Sequence, residues 1–131
     1  MPGKPVQTRY AAITPYTTKD GSLIRELMHP DHSAVCRLSV AEASVAPGQT
    51  TLPHCHAASE EVYHILAGTG RMTLGERVFD VAAGDTVAIH PGTRHAIRNT
   101  GEEALRILCC CAPPYRHTDT SLAGEDDPII P

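Results

Sequence analysis

The strongest constraint in this chain is its punctuation. Short runs rich in β-branched and aliphatic residues recur along it, most of them closed by a Gly or Pro turn. Segments 22–28, 34–46, 61–67, 70–74, 77–81, 86–90, 94–99 and 104–111 read as strands. Among them stand Asp20-Gly21, Pro47-Gly48, Gly68, Gly75-Glu76, Gly84-Asp85, Pro91-Gly92 and Thr100-Gly101. Runs this short cannot sustain a helical face, and turns at roughly 8–12-residue spacing fold the chain back on itself repeatedly. The pattern predicts an all-β sandwich or barrel. Only 34–46 has partial helical periodicity, and the flanking Pro47-Gly48 assigns it to strand.

At 131 residues the chain is one domain long. It has no Trp, one Phe and four Tyr, so the core must come from Val, Ile, Leu, Ala and Met, with Cys as small filler. The barrel is expected over 21–115. Residues 1–20 read as an N-terminal arm and 116–131 as a C-terminal tail, both ordered against a partner subunit. A net charge of −4 without a basic patch argues against nucleic acid or an anionic membrane as partner. The longest apolar run falls far short of the ~20 residues that span a bilayer. The N-terminus MPGKPVQTRY has no apolar stretch of the kind a secretory signal needs, so a cytoplasmic placement is expected. The five cysteines agree with it: the count is odd, no CxxC occurs, and Cys109, Cys110 and Cys111 are consecutive. Neighbours on a strand point to opposite faces, so these read as reduced thiols packed as small hydrophobes.

Chemistry concentrates in two stretches. In GQTTLPHCHAASEEVYHILAG, Gly48 to Gly68, His54 and His56 are two apart and leave an extended chain on one face. A short turn then leads to a strand opening with Glu60 and Glu61, either of which can return a carboxylate beside the imidazoles. In GDTVAIHPGTRHAIRN, Gly84 to Asn99, the Pro91-Gly92 turn sets His95 at the start of a strand. Three imidazoles and a carboxylate suit one divalent transition metal ion: Mn, Fe, Co, Ni, Cu or Zn. They leave coordination positions open, as a catalytic metal requires.

These stretches resemble the two motifs of the cupin superfamily. The first is matched by Gly48, His54, His56, Glu61 and Gly68, with four residues between His56 and Glu61. The second is matched by Gly84, His95 and Asn99, with His90 where the family has Pro. The intervening 69–83 has the short spacing of small bacterial cupins, and the likeness extends over roughly 34–112. It implies a double-stranded β-helix, or jelly-roll barrel, with the metal inside on His54, His56, Glu61 and His95. The spacing to Gly68 favours Glu61 over Glu60. The resemblance also implies a homodimer.

The remaining candidates are weaker. Tyr63 is two residues after Glu61, hence inward, and reads either as a barrel-wall aromatic or as a catalytic general acid or base. His64 and His90 read as rim or surface residues, Arg94 and Arg98 as pointing away from the metal, and Met72 as pocket lining or core. Asn99 reads as a turn-fixing residue; His29, His32 and His117 carry no expected catalytic role. Together these features imply a metal-dependent enzyme acting on a small organic molecule, with dioxygenase-like oxidation as the first chemistry. Isomerase or lyase chemistry on a sugar or organic acid, and a non-catalytic binding or sensing barrel, are the alternatives.

Overall fold

Strand alternation decides what this chain can bury. In the segment 60–67, Glu61, Tyr63 and Ile65 are buried while Glu60, Val62 and Leu66 face solvent. In 105–112, Leu105, Ile107, Cys109 and Cys111 are buried on one side. The computed structural model describes residues 3–122. It has strands β1 (Tyr16–Thr17), β2 (Leu23–Met28), β3 (Ser39–Val45), β4 (His54–His56), β5 (Glu60–Ala67), β6 (Thr69–Leu74), β7 (Arg77–Ala82), β8 (Thr86–Ile89), β9 (His95–Asn99), β10 (Leu105–Ala112) and β11 (Thr120–Leu122). Two short 3-10 turns, Tyr10–Ala12 and His117–Asp119, are its helical elements among the described residues. None of these is long and apolar enough to cross a membrane.

The strands form two antiparallel sheets, one ordered β1-β2-β3-β10-β5-β8 and the other β11-β4-β9-β6-β7. Both contribute to one apolar cluster: Ile65, Leu105 and Ile107 come from the first sheet, Met72 and Ile97 from the second. This is the all-β double-stranded β-helix that the strand spacing and the family motifs predict. The aliphatic core follows from the scarcity of aromatics, and each of these five side chains is at most 1% exposed. Gly68 makes the bend where the chain passes from β5 in one sheet to β6 in the other, with φ +92°, and a Cβ there would lie 3.1 Å from Ala104 O and Leu105 Cα.

Several boundaries differ from the sequence reading. Of 34–46, only Ser39–Val45 is strand, and β8 stops before His90. The sheets also run past 21–115 at both ends. β1 pairs with β2, Tyr16 opposite Ile24, and β11 pairs with β4, Thr120 opposite His56. Strands of two and three residues carry too little alternation to be recognised, and their pairing partners lie far away in sequence. Residues 1–2 and 123–131, the outermost parts of the expected arms, lie outside the described residues.

Asn99 ties the far end of the barrel. It is buried, its Nδ2 donates to Val45 O (2.9 Å) and Glu103 O (2.7 Å), and its Oδ1 accepts from Gly101 N (2.8 Å). Replacing it by Ala strands these backbone groups. The Asn99→Ala variant should lose about 2–3 kcal/mol in urea unfolding while keeping the folded-state properties of the distant histidines. A loss below about 0.5 kcal/mol would show that water replaces the amide.

Candidate metal centre

Strand pairing sets the imidazoles together before any ligand is considered. β4 is three residues long and wholly buried, so His54 and His56 project from one face of it. β9 pairs with β4 with His54 directly opposite His95. The ring centroids are 4.2 Å apart for His54 and His95, 5.2 Å for His54 and His56, and 5.5 Å for His56 and His95. One nitrogen from each ring lies within 4.8 Å of the other two, a group that could hold a metal ion.

The hydrogen bonds behind the rings fix which nitrogens face inward. His54 Nδ1 lies 2.8 Å from Leu52 O and His95 Nδ1 lies 2.9 Å from Thr93 O. A carbonyl can only accept, so both Nδ1 atoms carry the proton. His56 Nδ1 lies 3.0 Å from Thr120 Oγ1, whose hydroxyl donates to Arg116 O at 2.9 Å. That hydroxyl proton is committed, so His56 Nδ1 is a donor as well. All three Nε2 atoms therefore present lone pairs in the neutral rings. The His95 Nε2 is buried and has no hydrogen-bond partner among the described residues.

Among the described residues, the group that could hold a metal ion is the three histidines alone; a carboxylate lies beside two of them. Glu61 Oε1 is 3.1 Å from His56 Nε2 and 3.5 Å from His95 Nε2. Alternation along β5 turns Glu61 inward and leaves Glu60 exposed. Cys111, paired with Glu61 across β10 and β5, donates its thiol to Glu61 Oε2 at 3.4 Å. Burial would raise the Glu61 pKa; His56 and His95 hold the carboxyl well below the usual carboxylate range only when their Nε2 atoms carry a proton, and with the neutral rings described above a cation must take that place. Burial, reinforced by His95, pushes His54 down to about 4 and keeps it neutral. Lone pairs and a carboxylate converging in a buried space repel one another unless a cation stands between them. A divalent transition metal fits this donor set, and backbone or hydroxyl acceptors behind each ring are the usual support for such ligands.

Tyr63 is buried on the inward face of β5, its ring edge-on to His95 at 5.8 Å. Burial, with Glu61 next, pushes its phenol well above the ordinary value, so the group is protonated at neutral pH and can give a proton but not accept one there. Met72 is core. His64 turns aside to Thr86 Oγ1 (2.8 Å), and His90 and Arg98 are exposed. Cys109 and Cys111 are buried thiols with pKa values raised by burial first and Glu61 second. His29 is also buried: its Nδ1 accepts from Asp31 N and its Nε2 donates to Tyr115 O (2.9 Å), which anchors the C-terminal segment.

Four residues of the site lie outside the sequence expectation. Thr120 orients His56 from the segment assigned to the tail. Asp119, beside it, accepts from Ala58 N and Ser59 N and so fixes the turn between β4 and β5. Tyr115 lays its ring edge-on to His56 at 5.7 Å. Asp20 is buried; its Oδ1 accepts from Ser22 N and Oγ, and its Oδ2 lies 3.5 Å from His54 Nε2. The chain carries Asp20 as the first residue of an ordinary Asp-Gly turn signal, which hid it. A cavity of about 50 Å³ opens inside the barrel against His54, Glu61, Tyr63, Asp20 and Tyr115.

A double-stranded β-helix with three converging buried imidazoles defines a class of small barrels with a group that could hold a metal ion. The family model for the cupin domain matches residues 41–111, and the chain belongs to that family. It is 51% identical over 119 residues to an uncharacterised protein of Methanocaldococcus jannaschii, covering 91% of this chain and 95% of that one. Its fold is similar to the oxalate decarboxylase of Lactobacillus farciminis in its formate complex, with TM-score 0.80, 21% identity and 92% of this chain covered. The chain spans 36% of that decarboxylase's length. It is also similar to the polyketide cyclase RemF of Streptomyces resistomycificus, with TM-score 0.76, 18% identity, and coverage of 92% of this chain and 87% of that one.

Removing the acceptor behind His56 tests the arrangement. The Thr120→Val variant should weaken cobalt(II) or zinc(II) affinity about 10–100-fold in a chelator competition, because the ring loses its fixed tautomer and orientation. Unchanged affinity would mean that packing alone aims the ring.

Proposed function

We propose that the chain is a metal-dependent enzyme acting on a small organic molecule in the barrel, with His54, His56, Glu61 and His95 as the ligands of one divalent transition metal ion. The observation that carries this reading is the buried group of three imidazoles, with the Glu61 carboxylate beside His56 and His95. Such an ion, when bound, supplies a Lewis acid with coordination positions left for substrate oxygens. The chain's own residues do the rest. The imidazoles and Glu61 keep the ion in place, the buried wall excludes water, and Tyr63 holds a proton beside the reacting centre.

Dioxygenase-like oxidation is the first chemistry that this ligand set supports. A lyase or isomerase reaction is favoured by a separate observation: a phenol kept protonated within the site suits proton donation to a leaving group. The similarity to a decarboxylase and to a cyclase points the same way. A homodimer and a cytoplasmic location belong to this reading as well, and a monomeric mass by light scattering would remove the first.

Elemental analysis of untagged protein, beside the His54→Ala/His56→Ala double variant, tests the proposal. About one equivalent of a transition metal per chain is expected in the wild type and less than about a tenth in the variant, with matching circular dichroism. Wild-type protein that takes up none of the candidate ions on reconstitution would overturn the ligand assignment and leave a metal-free binding barrel.

A further inference from the structure

The charges around the barrel cavity are one-sided. Three carboxylates line it, Asp20, Glu26 and Glu61, and no Lys or Arg among the described residues does. Lys19, next to Asp20, is exposed and donates its Nζ to Thr120 O instead. Asp20 is held firmly. Its Oδ1 is taken by Ser22 N (2.9 Å) and Ser22 Oγ (2.6 Å), which aims Oδ2 at His54 Nε2. That oxygen stands as far from His54 Nε2, 3.5 Å, as Glu61 Oε1 stands from His95 Nε2. The ion would thus have two carboxylates near its imidazoles, Asp20 beside His54 and Glu61 beside His56 and His95.

Two such carboxylates cancel the charge of a divalent ion. A substrate carboxylate entering the same buried space would then meet no net attraction, and Asp20 would repel it at short range. At the effective dielectric of a protein site, like charges a few ångströms apart repel strongly enough to decide between ligands of similar shape. The phenols of Tyr63 and Tyr115 also line the cavity. Both are held protonated, by burial first, and can donate to a hydroxyl or carbonyl oxygen. They would donate to a carboxylate just as well, so charge and not hydrogen bonding discriminates. The cavity's 50 Å³ is the space of about four waters, enough for a fragment of a few heavy atoms.

We propose that the cavity selects a small, uncharged molecule bearing adjacent hydroxyl or carbonyl oxygens and rejects organic anions, with Asp20 as the residue that sets this selectivity. The proposal rests on the metal reading above. It separates this chain from the oxalate decarboxylase that it resembles in fold, whose named substrate is a dianion.

Cobalt(II)-loaded protein provides a test without turnover, because the visible spectrum of the ion reports ligand entry. Hydroxyacetone and glycolate differ in charge but little in size, and titrating both against free cobalt(II) gives the baseline, on which glycolate binds more tightly. In the wild-type protein the order should reverse. In Asp20→Asn, which keeps the acceptor for Ser22, the preference should swing back toward glycolate by at least about tenfold. Glycolate binding the wild type more tightly than hydroxyacetone, or no spectral response to hydroxyacetone, would overturn the selectivity while leaving the metal reading intact. Failure to take up cobalt would instead overturn the metal reading, and this one with it. If Asp20→Asn does not fold, the wild-type order alone decides.

Discussion

A buried lone pair with neither a proton donor nor a cation before it is costly, and this barrel converges several of them at one place. The imidazoles cannot escape by changing tautomer. His54 and His95 are held by the carbonyls of Leu52 and Thr93, and His56 by a threonine hydroxyl whose proton is already given to Arg116 O. Each of these acceptors depends on chain geometry two residues away or on a pairing across the sheet. The site is therefore a consequence of backbone placement, and the ligand chemistry follows from it.

The same logic explains why such a small chain can build the site at all. β4 has three residues and contributes two imidazoles, which leaves it little apolar area of its own. Its position comes from its neighbours: β9 on one edge, with His95 opposite His54, and β11 on the other, with Thr120 opposite His56. The aliphatic cluster around Ile65, Met72, Ile97, Leu105 and Ile107 provides the rigid wall behind. Beside this cluster the buried polar side chains Asp20, His54, His56, Glu61 and His95 gather around one cavity, with the carboxylates of Asp20 and Glu61 held by Ser22 and Cys111.

Much of this was legible in the residues. Turn-punctuated runs predicted an all-β barrel, and the motif spacing picked out Glu61, which strand alternation turns inward while Glu60 faces out. The two-residue step from Glu61 to Tyr63 put both on one face. Other features could not be read. Cys111 meets Glu61 only through the register of β10 against β5, which no local pattern encodes. Asp20 sits in an Asp-Gly pair that any turn would use. Thr120 belongs to a three-residue strand in a polar segment that reads as tail. His29, near a loop in sequence, is buried because the C-terminal segment folds back over it.

The position of these missed residues along the chain carries a further consequence. The family model matches 41–111, which contains His54, His56, Glu61, Tyr63 and His95. Asp20, Tyr115 and Thr120 all lie outside it, yet each reaches the same cavity or the ring of a candidate ligand. The matched segment therefore supplies what a metal-binding barrel needs in general. The ends of the chain supply the Asp20 carboxylate beside His54, the Tyr115 phenol in the cavity and the clamp on His56. Barrels that share the central motifs but differ in their ends would keep the ion and change what it meets. Differences in substrate among such barrels are then to be sought in the segments before β2 and after β10, where a single carboxylate alters the charge of the whole pocket.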